Sequence, residues 1–310
     1  YEAVKQQLNP DLVIGQTGSE SVQFQAPRSI ALAADGSIYV ADSRNNRIQH
    51  LSAKGVLIHS WGTFGDIAQG NAPGGTFNEP WGVAVAPNGN VYVVDTWNYR
   101  VQKFSADGKF LSMWGSNGFA ESPVAFYGPR GVAVAPNGNV FIVDTGNKRI
   151  VVYDAQDNYI TQFGVPGMDS GQLDEPVGIA LDDQGLVYIT DTWNSRIQVF
   201  SPDSSGLVYS SVRSWDVSAW YGQTLENKPF IAVDKDQNVY ISDPEGCRII
   251  EFTSTATPVR TWGDCGFTQN QFSMPVGLAF DKSGGLWVSD AGDNNRLLHF
   301  PASVLKTSGN

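Results

Sequence analysis

A chain of 310 residues is long enough for one large domain or two ordinary ones, so length leaves the architecture open. Its 20 Lys and Arg against 31 Asp and Glu give a formal net charge of −11, and no basic stripe interrupts that excess. A surface of this kind repels phosphate backbones, which argues against a nucleic-acid partner, and no apolar run reaches the length of a membrane-spanning helix.

In chain order, residues 1–10 read as an N-terminal extension, 11–300 as one domain and 301–310 as a C-terminal tail. A start at Tyr1 is read as that of a processed or excised fragment, compatible with a membrane-anchored parent. Leu12-Val13-Ile14 is a short apolar strand without a repeat of its own. From there a unit opening on Pro recurs at Pro27, Pro80, Pro129, Pro176, Pro229 and Pro275, in strings such as EPWGVAV and GPRGVAV. Each unit reads as four short strands, a to d from the axis outward. In the second unit these are WGVAVA, NVYVVD, RVQKFS and FLSMWG, divided by PNG and ADG turns that mark tight hairpins. Six such units predict an all-β fold: a six-bladed β-propeller of four-stranded antiparallel blades. The sixth unit lacks its own strand d, so the N-terminal strand is expected to complete that blade and close the ring.

Each strand b ends in Asp and each strand c begins with Arg, giving the pairs Asp42 and Arg47, Asp95 and Arg100, Asp144 and Arg149, Asp191 and Arg196, Asp243 and Arg248, Asp290 and Arg296. A short turn brings the two groups within reach of a bidentate pair, and the expected role is structural. Asn at the fourth motif position, replaced by Gly246 in the fifth unit, points to a left-handed backbone there. Cys247 precedes strand c and Cys265 follows strand d of the same blade. Antiparallel pairing places them within disulfide reach, with two free thiols as the alternative. A bridge suits an oxidising compartment, so the expected location is extracellular, periplasmic or at the cell surface.

The turns from b to c and the links between blades emerge on one face, and the irregular residues concentrate there. The expected ligand-binding set is Arg28, Trp81, Trp97, Arg130, Trp193 and Phe230: arginine donors beside flat aromatic surfaces around the channel mouth. The alternative is that Trp97 and Trp193 cover links while Trp81 and Phe230 plug the channel, with Arg28 and Arg130 paired to Glu79 or Glu175. No cofactor is expected. The residual metal is Ca²⁺ on the link carboxylates Asp66, Glu79, Glu121, Asp169, Asp174, Glu175 and Glu226.

The strings PWGVAVAPNGNVYVVDTWNYRVQKF and PRGVAVAPNGNVFIVDTGNKRIVVY resemble NHL repeats, and the likeness covers about residues 11–300. The resemblance implies the propeller fold and a choice of roles: binding modules, extracellular sensor domains, and lyase-type or lactonase-type relatives. Lyase relatives gather metal-binding histidines at the channel, whereas His50, His59 and His299 are predicted on outer strands, so no catalytic residue or metal ligand is assigned. Three readings compete. The first, preferred, is a non-catalytic ligand- or protein-binding propeller, a recognition or sensor module taking a protein, peptide or glycan on the loop-rich face. The second is a lactonase-like or other hydrolase with a carboxylate or metal site at the channel mouth, where Glu79 and Glu175 are the acid-base candidates. The third is a structural spacer in a larger membrane-anchored protein.

Overall fold

The computed structural model describes residues 1–119 and 122–305 and contains six four-stranded antiparallel blades. Blade one is built from Pro27–Leu32, Ile38–Asp42, Arg47–Leu51 and Leu57–Trp61, and blade two from Pro80–Val85, Val91–Asp95, Arg100–Phe104 and Phe110–Trp114. Strand b of each blade is buried along its whole length, which is why runs such as VYVVD are continuously apolar up to the final Asp. Facing sheets pack through clusters such as Ile48, Phe77, Val91 and Phe104 between blades one and two.

The ring closes as the sequence predicts. Leu12–Ile14 pairs antiparallel with Arg296–Phe300, setting Leu12 opposite His299 and Ile14 opposite Leu297. His299 adds a side-chain clasp, with Nδ1 2.6 Å from Asp11 Oδ1 and Nε2 2.9 Å from Asp281 Oδ2. At the other terminal segment, Ala302–Leu305 forms one helical turn. Arg260, paired with Glu251 at 2.8 Å, donates to the Val304 and Leu305 carbonyls and holds that turn. Cys247 and Cys265 are disulfide-bonded, as expected from their places on adjoining strands.

Two expectations about the Asp to Arg turn are corrected. The ion pairs form in all six blades, at 2.7–2.8 Å in five and 3.4 Å in the sixth, but through Arg Nε alone rather than a bidentate fork. In blade two the remaining guanidinium nitrogens of Arg100 donate to the Ala72, Pro73 and Thr76 carbonyls of the preceding link. Asp95 also accepts from Asn78 N, Asn98 Nδ2 and Gln102 Nε2, so the link, the turn and strand c are tied to one buried carboxylate. Burial pushes that carboxyl above the ordinary range, while these donors and Arg100 pull the other way.

The left-handed residue is not the fourth of the motif. It is the residue directly before Arg: Asn46, Tyr99, Lys148, Ser195, Cys247 and Asn295, with φ between 45° and 57°. The fourth-position Asn turns its side-chain amide inward instead, where Asn98 Nδ2 donates to Asp95 Oδ2 at 2.9 Å and to Gly65 O at 2.8 Å. Gly246 lacks that amide, and its backbone N–H donates to Asp243 Oδ1.

Candidate functional site

The residues after the repeat prolines converge at the loop-rich end of the axis because of how strand a starts. In blades one and two the register steps from Pro27 to Ser29 and from Pro80 to Gly82, so Arg28 and Trp81 are bulged out of the ladder. A bulge re-aims its side chain, here toward the channel mouth. Glycine then lets neighbouring inner strands crowd together: a Cβ on Gly82 would lie 2.3 Å from the Arg130 carbonyl oxygen.

The result is a buried cationic cluster. Trp81 is buried, with the guanidinium carbons of Arg28 and Arg130 at 4.3 Å and 4.5 Å from its ring centroid. Arg28 donates to both the carboxylate and the backbone carbonyl of Glu226, and Arg44 reaches the same carboxylate oxygen at 3.3 Å. Arg130 donates to Glu175 at 3.2 Å. Burial pulls Arg28 down to about 10 and also lowers Arg130, despite these acidic neighbours. Phe230 joins Val177, Val276 and Ala291 in an apolar floor beneath.

Lys228 completes the cluster. It is fully buried, and its Nζ has no hydrogen-bond partner among the described residues. The amine lies 5.4 Å from the ring centroid of Trp193. Burial pulls its pKa down to about 8, with Glu175 the largest opposing influence and Arg130 adding to the fall. Glu226 and Lys228 both come from the link before the fifth inner strand, Ile231–Val233. Trp220 anchors that link through its indole N–H to the Ser242 carbonyl at 3.1 Å.

The predicted set is therefore placed as follows. Arg28, Trp81 and Arg130 come together, Phe230 packs instead with Val177, Val276 and Ala291, and Trp193 is 57% exposed. Trp97 is half-buried and takes part in neither cation contact with Trp81. Of the two predicted glutamates, Glu175 pairs with Arg130, whereas Arg28 takes Glu226. Lys228 was missed, although its signal is visible: the corresponding residues before the other repeat prolines are Ala26, Glu79, Gly128, Glu175 and Met274.

The metal reading does not find its ligands. His50 stacks on Tyr39 and bonds Ser37, His59 stacks on Trp61, and His299 is held by Asp11 and Asp281. Asp174 pairs with Lys148, Asp66 caps a short turn by accepting from Ala68 N, and Glu121 lies outside the described residues. Among the described residues there is no group of three or more His, Cys, Asp or Glu that could hold a metal ion. Nor is any described helix long and apolar enough to cross a membrane.

Solved structures of this architecture include a virginiamycin B lyase from Staphylococcus aureus, 14% identical with a TM-score of 0.59 over 96% of this chain and 98% of that one. A gluconolactonase from Xanthomonas campestris is also 14% identical, with a TM-score of 0.61 over the same shares. At this identity the likeness shows the fold. These neighbours tell against the preferred reading of a non-catalytic recognition propeller, since solved structures of this fold are named as a lyase and a gluconolactonase. Trp81 is buried beneath two arginines, so it is not one of the flat aromatic surfaces expected to be open at the channel mouth. In sequence, the peptidylglycine alpha-amidating monooxygenase of Rattus norvegicus is 31% identical over 123 residues, which is 36% of this chain and 12% of that protein's length. The NHL repeat model matches residues 24–51, 77–104, 126–153, 173–200 and 272–300, and the chain belongs to the NHL-repeat family.

Proposed function

We propose that this propeller is a hydrolase acting on a small ester or lactone at the loop-rich mouth of its channel, with Lys228 as general base. The observation that carries the reading is the buried amine with no hydrogen-bond partner among the described residues and a pKa lowered to about 8. An amine near neutrality accepts a proton at working pH, which an ordinary surface lysine does not. In the proposed step a water oxygen attacks the substrate carbonyl carbon and its proton passes to Lys228 Nζ. Arg130, whose charge acts on Lys228, would stabilise negative charge on the former carbonyl oxygen. The acyl C–O bond then breaks, and the departing alkoxide takes the proton back from the ammonium. Bond making and breaking balance with water as the only co-reactant. Of the predicted ligand set, Arg130 enters this reading as a substrate contact and the Trp193 ring as the rim a substrate passes. A peptide or glycan portion of a substrate would find flat apolar contacts there and at Tyr221, which is also exposed.

The test is hydrolysis of a panel of aliphatic and aromatic esters and lactones by wild type and Lys228→Met. The expected result is turnover that rises to a plateau above about pH 8 and is lost at least a hundredfold in the variant, within the range of general-base catalysis. Equal turnover by the variant would overturn the assignment, and so would the absence of turnover across the panel. We also place the protein in an extracellular or periplasmic compartment, supported by the Cys247–Cys265 bridge. Recovery of both cysteines as free thiols after alkylation in the native source would refute that placement.

A further inference from the structure

We infer that the pocket formed by Arg28 and Arg44 is a carboxylate-binding site occupied by the chain's own Glu226, and that a carboxylate ligand binds by displacing it. The inference goes beyond the hydrolase reading and does not rest on it. Arg28 is buried, yet only two of its guanidinium nitrogens are used, both on Glu226; its Nε is buried with no hydrogen-bond partner among the described residues. Glu226 is an unusual partner for such a group, because its side chain is 49% exposed and hangs from a link rather than a strand. Beside it lies a cavity of about 320 Å³, lined on its polar side by Thr17, Gln25, Arg28, Arg44, Glu226 and Asp293. That volume holds a small organic acid.

The charge balance favours exchange. With Glu226 in place, the cavity has two guanidinium groups facing the carboxylates of Glu226 and Asp293. When Glu226 swings out to water, an incoming carboxylate meets both guanidinium groups, with Asp293 on the cavity wall and Glu79 also acting on Arg28, and regains the fork geometry that a single Glu226 oxygen leaves unused. Arg28 cannot follow Glu226 outward, because it is packed over Trp81. Exchange therefore moves the link and not the arginine. The same link carries Lys228, so displacement of Glu226 loosens the cover over the buried amine.

The probes are acetate and succinate, titrated into wild type, Glu226→Gln and Arg44→Gln while amide hydrogen exchange is followed over residues 217–228. Glu226→Gln keeps the side-chain shape and removes the competing charge, so it should bind succinate at least tenfold more tightly than wild type. Arg44→Gln, a half-exposed position whose change leaves the fold intact, should weaken binding at least fivefold. In wild type, succinate should speed exchange across the link. Equal affinity of wild type and Glu226→Gln overturns the proposal, as does succinate binding that Arg44→Gln leaves unchanged. Lys228→Met separates the two ideas, since it should abolish ester hydrolysis while leaving succinate binding within twofold of wild type.

Discussion

Replacing Lys228 with Met should stabilise the protein while it removes the proposed base. Lys228 is fully buried and its amine has no hydrogen-bond partner among the described residues, so burial draws its pKa from 10.5 to about 8. At about 1.4 kcal/mol per unit, the charged amine costs roughly 3 kcal/mol of folding stability. Met keeps most of the buried volume, and loss of the contact with Trp193 returns about 0.5–1 kcal/mol, leaving a net gain of about 2 kcal/mol. The sign follows from a depressed folded-state pKa: the wild type has its full share of stability above pH 10.5, where the unfolded amine is also neutral. It loses that share as pH falls through about 8. Thermal melts of both proteins, run side by side from pH 6.5 to 10.5, isolate the lysine from every other titrating group. The variant should melt about 3 °C higher at pH 7, and the gap should close toward pH 10.5. A variant that melts lower at pH 7, or an offset constant across the range, would mean that the amine carries its charge without penalty, and its assignment as a base would fall with it.

Four further outcomes test the scaffold. Asn98→Ala removes a buried amide that bonds Asp95 and Gly65, and should cost about 1–3 kcal/mol, whereas Lys148→Gly relieves a left-handed residue but gives up the ion pair with Asp174, and should change stability by less than about 1 kcal/mol; paired melting curves check both. Serine at both Cys247 and Cys265 opens a loop of sequence separation 18 and should lower stability by about 3 kcal/mol, read as a lower melting temperature that added reductant does not lower further. Ile14→Ala thins the closing strand where it packs against Phe24 and Ile30, and should cost about 2–4 kcal/mol; hydrogen exchange should then rise first at its partner residues 296–300.

The architecture was legible because packing repeats. A Pro that starts each inner strand, an Asp that ends each strand b and an Arg that starts each strand c are local features, and the ring closure follows from counting strands. The details of the turn were less legible, because Asn serves two physical purposes. It adopts a left-handed backbone cheaply, and it also carries an amide that can satisfy a buried carboxylate. Asn98 does the second and Tyr99 does the first, at φ 54°, a conformation that a tyrosine reveals to no propensity argument. The site was legible in part. Arg28, Trp81 and Arg130 share one motif position, but the partner of Arg28 is Glu226, 198 residues away and on a link with no repeat to align it.

The departures of the fifth unit from the repeat gain meaning from that contrast. The matched repeats skip it altogether. It has Lys228 directly before its proline, Gly246 where the other turns have an amide or a longer insertion, and Cys247 at the left-handed position. The first costs stability by burying an amine, and the second gives up an amide bond to the buried carboxylate. The bridge to Cys265 ties down the turn that has lost this bond, on the blade that follows the link bearing Glu226 and Lys228. A repeat constrained only by packing has no reason to accept a buried cation and then staple the blade that bears it. Local violations of this kind concentrate where a fold gives up stability for chemistry. The fifth unit, rather than the near-consensus second and third, is therefore where substitutions should separate activity from folding.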